Sequence, residues 1–195
     1  MIEYIEKKYI QKNSVEKRDY QINLANQAMN ENCVVVLPTG LGKTTIALHV
    51  IAEYLSKDSV RILFLAPTRV LVNQHFEFLK KNLTIDDIIL ITGEDAVEKR
   101  IELWNSRIIC ATPEVARNDL NKKIINSKQF SLVIFDEVHR TTGDYAYSSI
   151  AKHFEDTDTR LLGMTATLPS EQEKATEILT RLKISSVAER TENSP

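Results

Sequence analysis

The sequence has little of what would mark a secreted scaffold, a fibre or a disordered tail. Among 195 residues it holds two cysteines, five glycines, five prolines and one tryptophan. Cys33 and Cys110 each sit in an apolar, strand-like run, "CVVVL" and "RIICA". That placement reads as two buried small hydrophobes rather than a disulfide or half of a metal site. So few glycines and prolines exclude collagen-like and low-complexity chains. No apolar run approaches the roughly 20 residues of a membrane span. The opening "MIEYIEKKYIQKN" is charged every few residues and lacks the apolar centre of a secretion signal. A cytoplasmic protein with no membrane partner is expected. An excess of one charge is missing too: 25 Lys and Arg face 27 Asp and Glu, a formal charge of −2. Any nucleic-acid contact must therefore be local rather than the work of an overall basic field.

What is present is a core. At 43% hydrophobic residues the chain can bury one good interior and is expected to form one compact domain over residues 1–190, with 191–195 as the start of a linker. Short runs rich in β-branched residues alternate with helix-length segments. The strand candidates are "CVVVL", "RILFLA", "DIILI", "RIICA", "SLVIFD", "RLLGMTA" and "ISSVAE". Their lack of polar alternation implies strands covered on both faces. Helices are expected over 43–56, 69–82, 95–105, 113–122, 145–155 and 170–182, with an early helical segment at "IEYIEKKYI" that packs on this domain or on another. Strand, helix, strand repeated gives an α/β fold, a three-layer, doubly wound parallel sheet.

In such a sheet ligands bind beyond the carboxyl ends of the strands. The unusual residues stand there: "PTGLGKT", "PTR", "TGE", "ATPE", "DEVHR" and "TATLP". Strand, glycine turn, Lys-Thr and helix is the setting of a P-loop. Backbone N–H groups of residues 39–44 would curl around a phosphate, the helix N-terminus adds partial positive charge, and Lys43 reaches the outer phosphates. The Thr44 hydroxyl is offered to Mg²⁺. Lys43 at a helix N-terminus opposes the dipole, a poor placement unless an anion is there. The strict motif wants glycine where this chain has Leu37.

Holding the metal needs a second acidic element. "SLVIFDEVHR" supplies Asp136 as the Mg²⁺ partner and Glu137 to orient or deprotonate an attacking water, with His139 linking the site onward. Upstream, "KRDYQINLAN" places Gln21, whose amide can donate and accept at once as an adenine edge requires, and Arg18, which can stack on the ring. Alone, an Arg-x-Tyr-Gln at a helix start is more often surface plus core; it gains meaning beside the other two elements.

Taken in order, "RDYQ", "LPTGLGKT", "APTRVLVNQ", "ITGE", "ATPEVARNDL", "FDEVHR" and "GMTATL" resemble the first RecA-like ATP-binding domain of superfamily 2 (DExD/H-box) helicases, over nearly the whole chain. That superfamily often tolerates a residue such as Leu37 at the start of its P-loop. Within it, "LPTGLGKTTIALHVIAEY", "DEVHRTTGDYAYSSIA" and "RTENSP" are most similar to archaeal Hef, the helicase-associated endonuclease for fork-structured DNA, and to Fanconi anaemia group M helicases; the RNA-sensing helicases and Dicer are close cousins.

The resemblance implies ATP and Mg²⁺ as cofactors. It places ATP contacts at Arg18, Gln21, Pro38, Thr39, Gly40, Leu41, Gly42, Lys43, Thr44 and Thr45, and catalysis at Lys43, Asp136, Glu137 and His139. It implies that Arg69, Thr92, Gly93, Thr112 and Pro113 contact the backbone of one nucleic-acid strand, and that Thr165 and Thr167 couple the nucleotide to a second domain. Hydroxyls, helix N-terminal amides and an arginine suit phosphate oxygens and read no bases.

One P-loop and one acidic box suggest half of a two-domain machine, whose second RecA-like domain would supply arginine fingers; alone, this chain is expected to turn over slowly. The expected parent is a DNA helicase or translocase tracking a single strand on branched or forked DNA. Two alternatives stand beside it: an RNA helicase or double-stranded-RNA-dependent ATPase of the related branch, and a nucleotide-responsive binding module that does not translocate.

Overall fold

The computed structural model describes residues 1–139, 145–168, 172–184 and 186–190. Seven parallel strands form one sheet: β1 (Cys33–Val36), β2 (Ile62–Leu65), β3 (Ile88–Ile91), β4 (Ile108–Ala111), β5 (Leu132–Phe135), β6 (Arg160–Thr165) and β7 (Ser186–Glu189). Their order across the sheet is β3-β4-β2-β5-β6-β1-β7. The helices are α1 (Asp19–Asn30), α2 (Lys43–Leu55), α3 (Arg69–Asn82), α4 (Val97–Leu103), α5 (Pro113–Asn121), α6 (Tyr145–Lys152) and α7 (Gln172–Arg181). Every residue of β1, β2, β4 and β5 is buried, the property expected of continuous apolar runs in a parallel sheet.

Alternate strand residues feed two cores, one on each face. Cys33, Val35, Ile62 and Phe64 pack with α1, α2 and α3, while Val34, Val36, Leu63 and Leu65 pack with α5, α6 and α7. The result is the expected three-layer, doubly wound α/β fold. Local chemistry sets the helix starts. Thr68 caps α3 by accepting a bond from the Leu71 N–H at 3.2 Å, and Pro113 opens α5 with the fixed backbone that a first helical position favours.

The second core holds a charged clamp. Arg100 Nε and Nη2 donate to the two oxygens of Asp119 at 2.8 and 2.9 Å, Trp104 Nε1 adds a third bond at 2.8 Å, and Arg100 Nη1 reaches the Asp95 carbonyl at 2.6 Å. Asp119 is fully buried. Its hydrogen bond raises the Arg100 pKa further above its usual value, so the guanidinium stays charged. The clamp ties the loop after β3 to α5.

The N-terminal segment corrects an expectation. "IEYIEKKYI" is an extended strap rather than a helix: Ile5 N–H donates to the Val15 carbonyl at 2.9 Å, Lys17 N–H to the Glu3 carbonyl at 2.8 Å, and Ile10 bridges Leu83. Backbone groups bonded at such range are not free to close helical turns, and Tyr9 has a left-handed φ of 73°. The strap packs on this domain through buried Ile5 and Ile10 and a 2.5 Å ion pair between Lys7 and Glu53. The expected linker at 191–195, Arg140 of the acidic box, and the first residues of the expected helix at 170–182 lie outside the described residues.

Candidate active site

The loop after β1 is built from the sheet outward. Leu37 N–H donates to the Thr165 carbonyl at 3.0 Å, which anchors the loop to β6 before it leaves the sheet. Gly40 and Gly42 then take left-handed φ angles of 88° and 86°. The left-handed backbone at Gly42 favours glycine, and an added Cβ there would lie 2.3 Å from Gln21 Nε2, so the amide bonded to the Leu41 carbonyl would have to shift. Nothing lies within 4 Å of the Cβ position at Gly40, so the loop opens onto free space on that side. Lys43 is the first residue of α2 and makes no ion pair or hydrogen bond among the described residues. Lys43, Thr44 and Thr45 are half-buried, whereas Thr39 is exposed. A lysine without a counter-charge beside a helix N-terminus and a glycine-bent backbone is what a phosphate cradle requires.

The first turn of α1 braces this loop. Tyr20 Oη and Gln21 Nε2 both donate to the Leu41 carbonyl, at 2.7 and 3.0 Å. Gln21 is 3% exposed, and its Oε1 is sealed from solvent with no partner among the described residues. A sealed acceptor against the loop fits an amino donor brought by a ligand. Arg18 is exposed and holds Glu16 and the Tyr20 hydroxyl, each at 3.4 Å. The Arg190 guanidinium lies 4.0 Å from the centre of the Tyr20 ring.

The acidic box follows β5. Because β6 alone separates β5 from β1, Asp136 and the glycine loop stand two strand spacings apart, about 10 Å. Asp136 is 4% exposed, and its backbone is fixed at both ends: its N–H donates to the Leu65 carbonyl at 2.9 Å and its carbonyl accepts from Tyr147 Oη at 2.7 Å. One carboxylate oxygen, Oδ2, is 2.7 Å from His75 Nε2. Glu137 has a φ of 54°, a strained conformation for a residue with a Cβ, and such strain collects at functional sites. His139 Nδ1 lies 3.3 Å from Glu137 and 2.9 Å from Thr165 Oγ1. Thr165 is buried and Thr167 exposed; the Thr165 hydroxyl donates to the Thr167 carbonyl at 2.8 Å. Among the described residues no group of three His, Cys, Asp or Glu side chains could hold a metal ion by itself. Asp136 and Thr44 fit a hard cation that takes most of its ligands from phosphate and water.

The remaining predicted residues gather on the other half of the sheet. Arg69 follows β2, Thr92 and Gly93 follow β3, and Thr112 and Pro113 follow β4; those strands are neighbours in the order β3-β4-β2. The glycine loop, the acidic box and Thr165 lie at the ends of β1, β5 and β6, so the carboxyl edge divides into two adjoining halves. Arg69 Nη1 pairs with Glu94 at 2.5 Å, both side chains being largely exposed. Asp95 accepts bonds from the Thr92 N–H and hydroxyl, and from Lys99, which with the Thr92 N–H holds its carboxyl below the usual range. Gly93 has open space around it.

Reading the sequence missed His75, Tyr20 as a brace, and Glu94 as the partner of Arg69. "PTRVLVNQH" carried the one available signal: a histidine two turns into the helix that begins after β2.

Residues 18–175 match the DEAD/DEAH box helicase family. MJ1505 of Methanocaldococcus jannaschii, provisionally named an ATP-dependent RNA helicase, is 44% identical over 97% of this chain and 25% of its own length. The ATP-dependent DNA helicase MPH1 of Candida albicans is 40% identical over 96% of this chain and 16% of its own. The chain thus spans a quarter or less of these relatives. Among solved structures, the Pyrococcus furiosus Hef helicase domain superposes with a TM-score of 0.88 at 38% identity, covering 92% of this chain and 39% of that one. A DEAD box protein of Methanococcus jannaschii shares the fold, with a TM-score of 0.75 at 23% identity over 92% of this chain and 51% of that one. The family match takes in the glycine loop, the acidic box and the residues along both halves of the carboxyl edge, and this chain belongs to the DEAD/DEAH box helicase family.

Proposed function

We propose that this chain is the ATP-binding half of an ATP-dependent DNA helicase or translocase that acts on branched or forked DNA. The observation that carries the reading is the unpaired Lys43 at the head of α2, facing the buried Asp136 and strained Glu137 across a single strand. In this reading the backbone of residues 39–44 and Lys43 bind the phosphates of ATP, Gln21 and Arg18 hold the base, and Thr44 with Asp136 hold Mg²⁺. The metal supplies charge neutralisation for phosphoryl transfer. Glu137 orients the attacking water, and His139 reports to Thr165. The half formed by Arg69, Thr92, Gly93, Thr112 and Pro113 binds the phosphates of one strand without reading sequence.

The DNA assignment leans on the similarity to the DNA helicase MPH1 and to the Hef helicase domain. The name of MJ1505 supports a second reading, an RNA helicase. The polymer that stimulates the parent's ATPase separates them. A second RecA-like domain in the parent would supply arginine fingers, worth about 10³–10⁵ in turnover, so this chain alone should bind nucleotide and hydrolyse it slowly. Replacing Lys43 with Ala should abolish nucleotide binding here and unwinding by the parent. Glu137→Gln should leave binding intact while stopping turnover. Undiminished unwinding by the Lys43 variant would overturn the assignment.

A further inference from the structure

We infer that His75 is a positioning residue for Asp136, setting which oxygen of that carboxylate faces the metal; the inference rests on the Mg·ATP reading of the site. His75 sits on α3, 8% exposed, six residues beyond Arg69. Its ring stacks on Phe64 of β2 with centroids 4.6 Å apart and planes 32° from parallel, which fixes the direction in which Nε2 points. That nitrogen lies 2.7 Å from Asp136 Oδ2. A carboxylate only accepts, so Nε2 carries the hydrogen and donates it.

The rest of Asp136 is already held. Its N–H and carbonyl are bonded to Leu65 and Tyr147, so the side-chain torsions are its remaining freedom. His75 removes that freedom by engaging Oδ2, and Oδ1 is left without a hydrogen-bond partner among the described residues. An apolar side chain at position 75 would leave a buried carboxylate oxygen unbonded and let the group rotate away from its ligand. Partners that orient a metal-facing group in this way typically matter on the order of tenfold or more to metal affinity. The helix that does the orienting also begins with Arg69, so the strand-facing half of the edge and the metal carboxylate share one rigid element.

The test titrates Mg²⁺ into this chain with a fluorescent, non-hydrolysable ATP analogue, and repeats the analogue titration with metal chelated. Three variants are compared with the parent sequence: His75→Leu, which has no donor; His75→Asn, whose amide is too short to reach; and His75→Gln, whose amide can reach. For His75→Leu and His75→Asn the Mg²⁺ half-saturation should rise about tenfold, with metal-free analogue affinity unchanged. His75→Gln should return to within about twofold of the parent sequence. If the leucine variant does not fold, the Asn and Gln pair decides. Equal Mg²⁺ dependence in all folded variants would overturn the role of His75 while leaving the nucleotide reading intact. Analogue binding by the parent sequence that Mg²⁺ does not tighten would overturn both the role of His75 and the placing of Mg²⁺ at Asp136.

Discussion

His139 Nδ1 lies 2.9 Å from Thr165 Oγ1, joining the acidic box after β5 to the end of β6. The Thr165 hydroxyl already donates to the Thr167 carbonyl, so toward His139 it accepts, and Nδ1 carries the hydrogen. The backbone carbonyl of the same Thr165 receives the Leu37 N–H at the root of the glycine loop. One buried threonine therefore touches the acidic box by its side chain and the glycine loop by its main chain. A change at either can be felt at the other through two hydrogen bonds.

Thr165→Val tests that link, because valine keeps the shape and the backbone bond and removes the hydroxyl. We expect nucleotide affinity of this chain to stay within about twofold and stability to fall by about 1–2 kcal/mol, the cost of leaving buried partners unbonded. In the parent, strand displacement per ATP consumed should drop roughly tenfold, the size of an ordinary coupling energy. A fall in displacement matched by an equal fall in hydrolysis would place Thr165 in the chemistry instead of the coupling.

His49 makes stability depend on pH. It lies on α2, 3% exposed, and burial, with Lys7 nearby, pushes its pKa down from 6.5 to about 4. Its Nε2 has no partner among the described residues. As pH falls below about 6.5 the unfolded chain takes up a proton at this site and the folded chain does not. Stability is therefore full above about pH 6.5 and declines until about pH 4, where the folded form also protonates. The urea midpoint should drop between pH 7 and pH 5, and His49→Leu should flatten that part of the curve. An unchanged slope in the variant would mean that other groups set it.

Much of this arrangement could be read before any coordinates, for a physical reason. Strands buried on both faces, such as "CVVVL" and "SLVIFD", have no polar positions to blur them, and the residues that follow them collect at one edge by topology alone. That is why Lys43, Asp136 and Thr165 were visible from order in the chain. Contacts made across the sheet were not. His75 and Asp136 are 61 positions apart, and nothing in either segment announces the other. The Arg100–Asp119 clamp was equally silent, since each residue alone reads as a solvated charge on a helix. The strap at "IEYIEKKYI" misled because its apolar spacing suits a helix, while the bonds that hold it extended come from Val15, Glu3 and Leu83.

The pair formed by Arg69 and Glu94 sets the last expectation. Glu94 puts a carboxylate on the guanidinium where the proposed strand would put a phosphate, so binding must displace it. The pair is exposed and its own stability is small. Glu94→Gln should therefore raise affinity for a single-stranded oligonucleotide by about two- to fivefold, with no change in sequence preference. Arg69→Gln should weaken binding equally across sequences and lower the slope of log affinity against log salt by about one. Fluorescence anisotropy at a series of salt concentrations measures both. If neither variant moves the affinity or the slope, the strand does not pass over Arg69, and the half of the edge after β2 and β3 would have to be given another role.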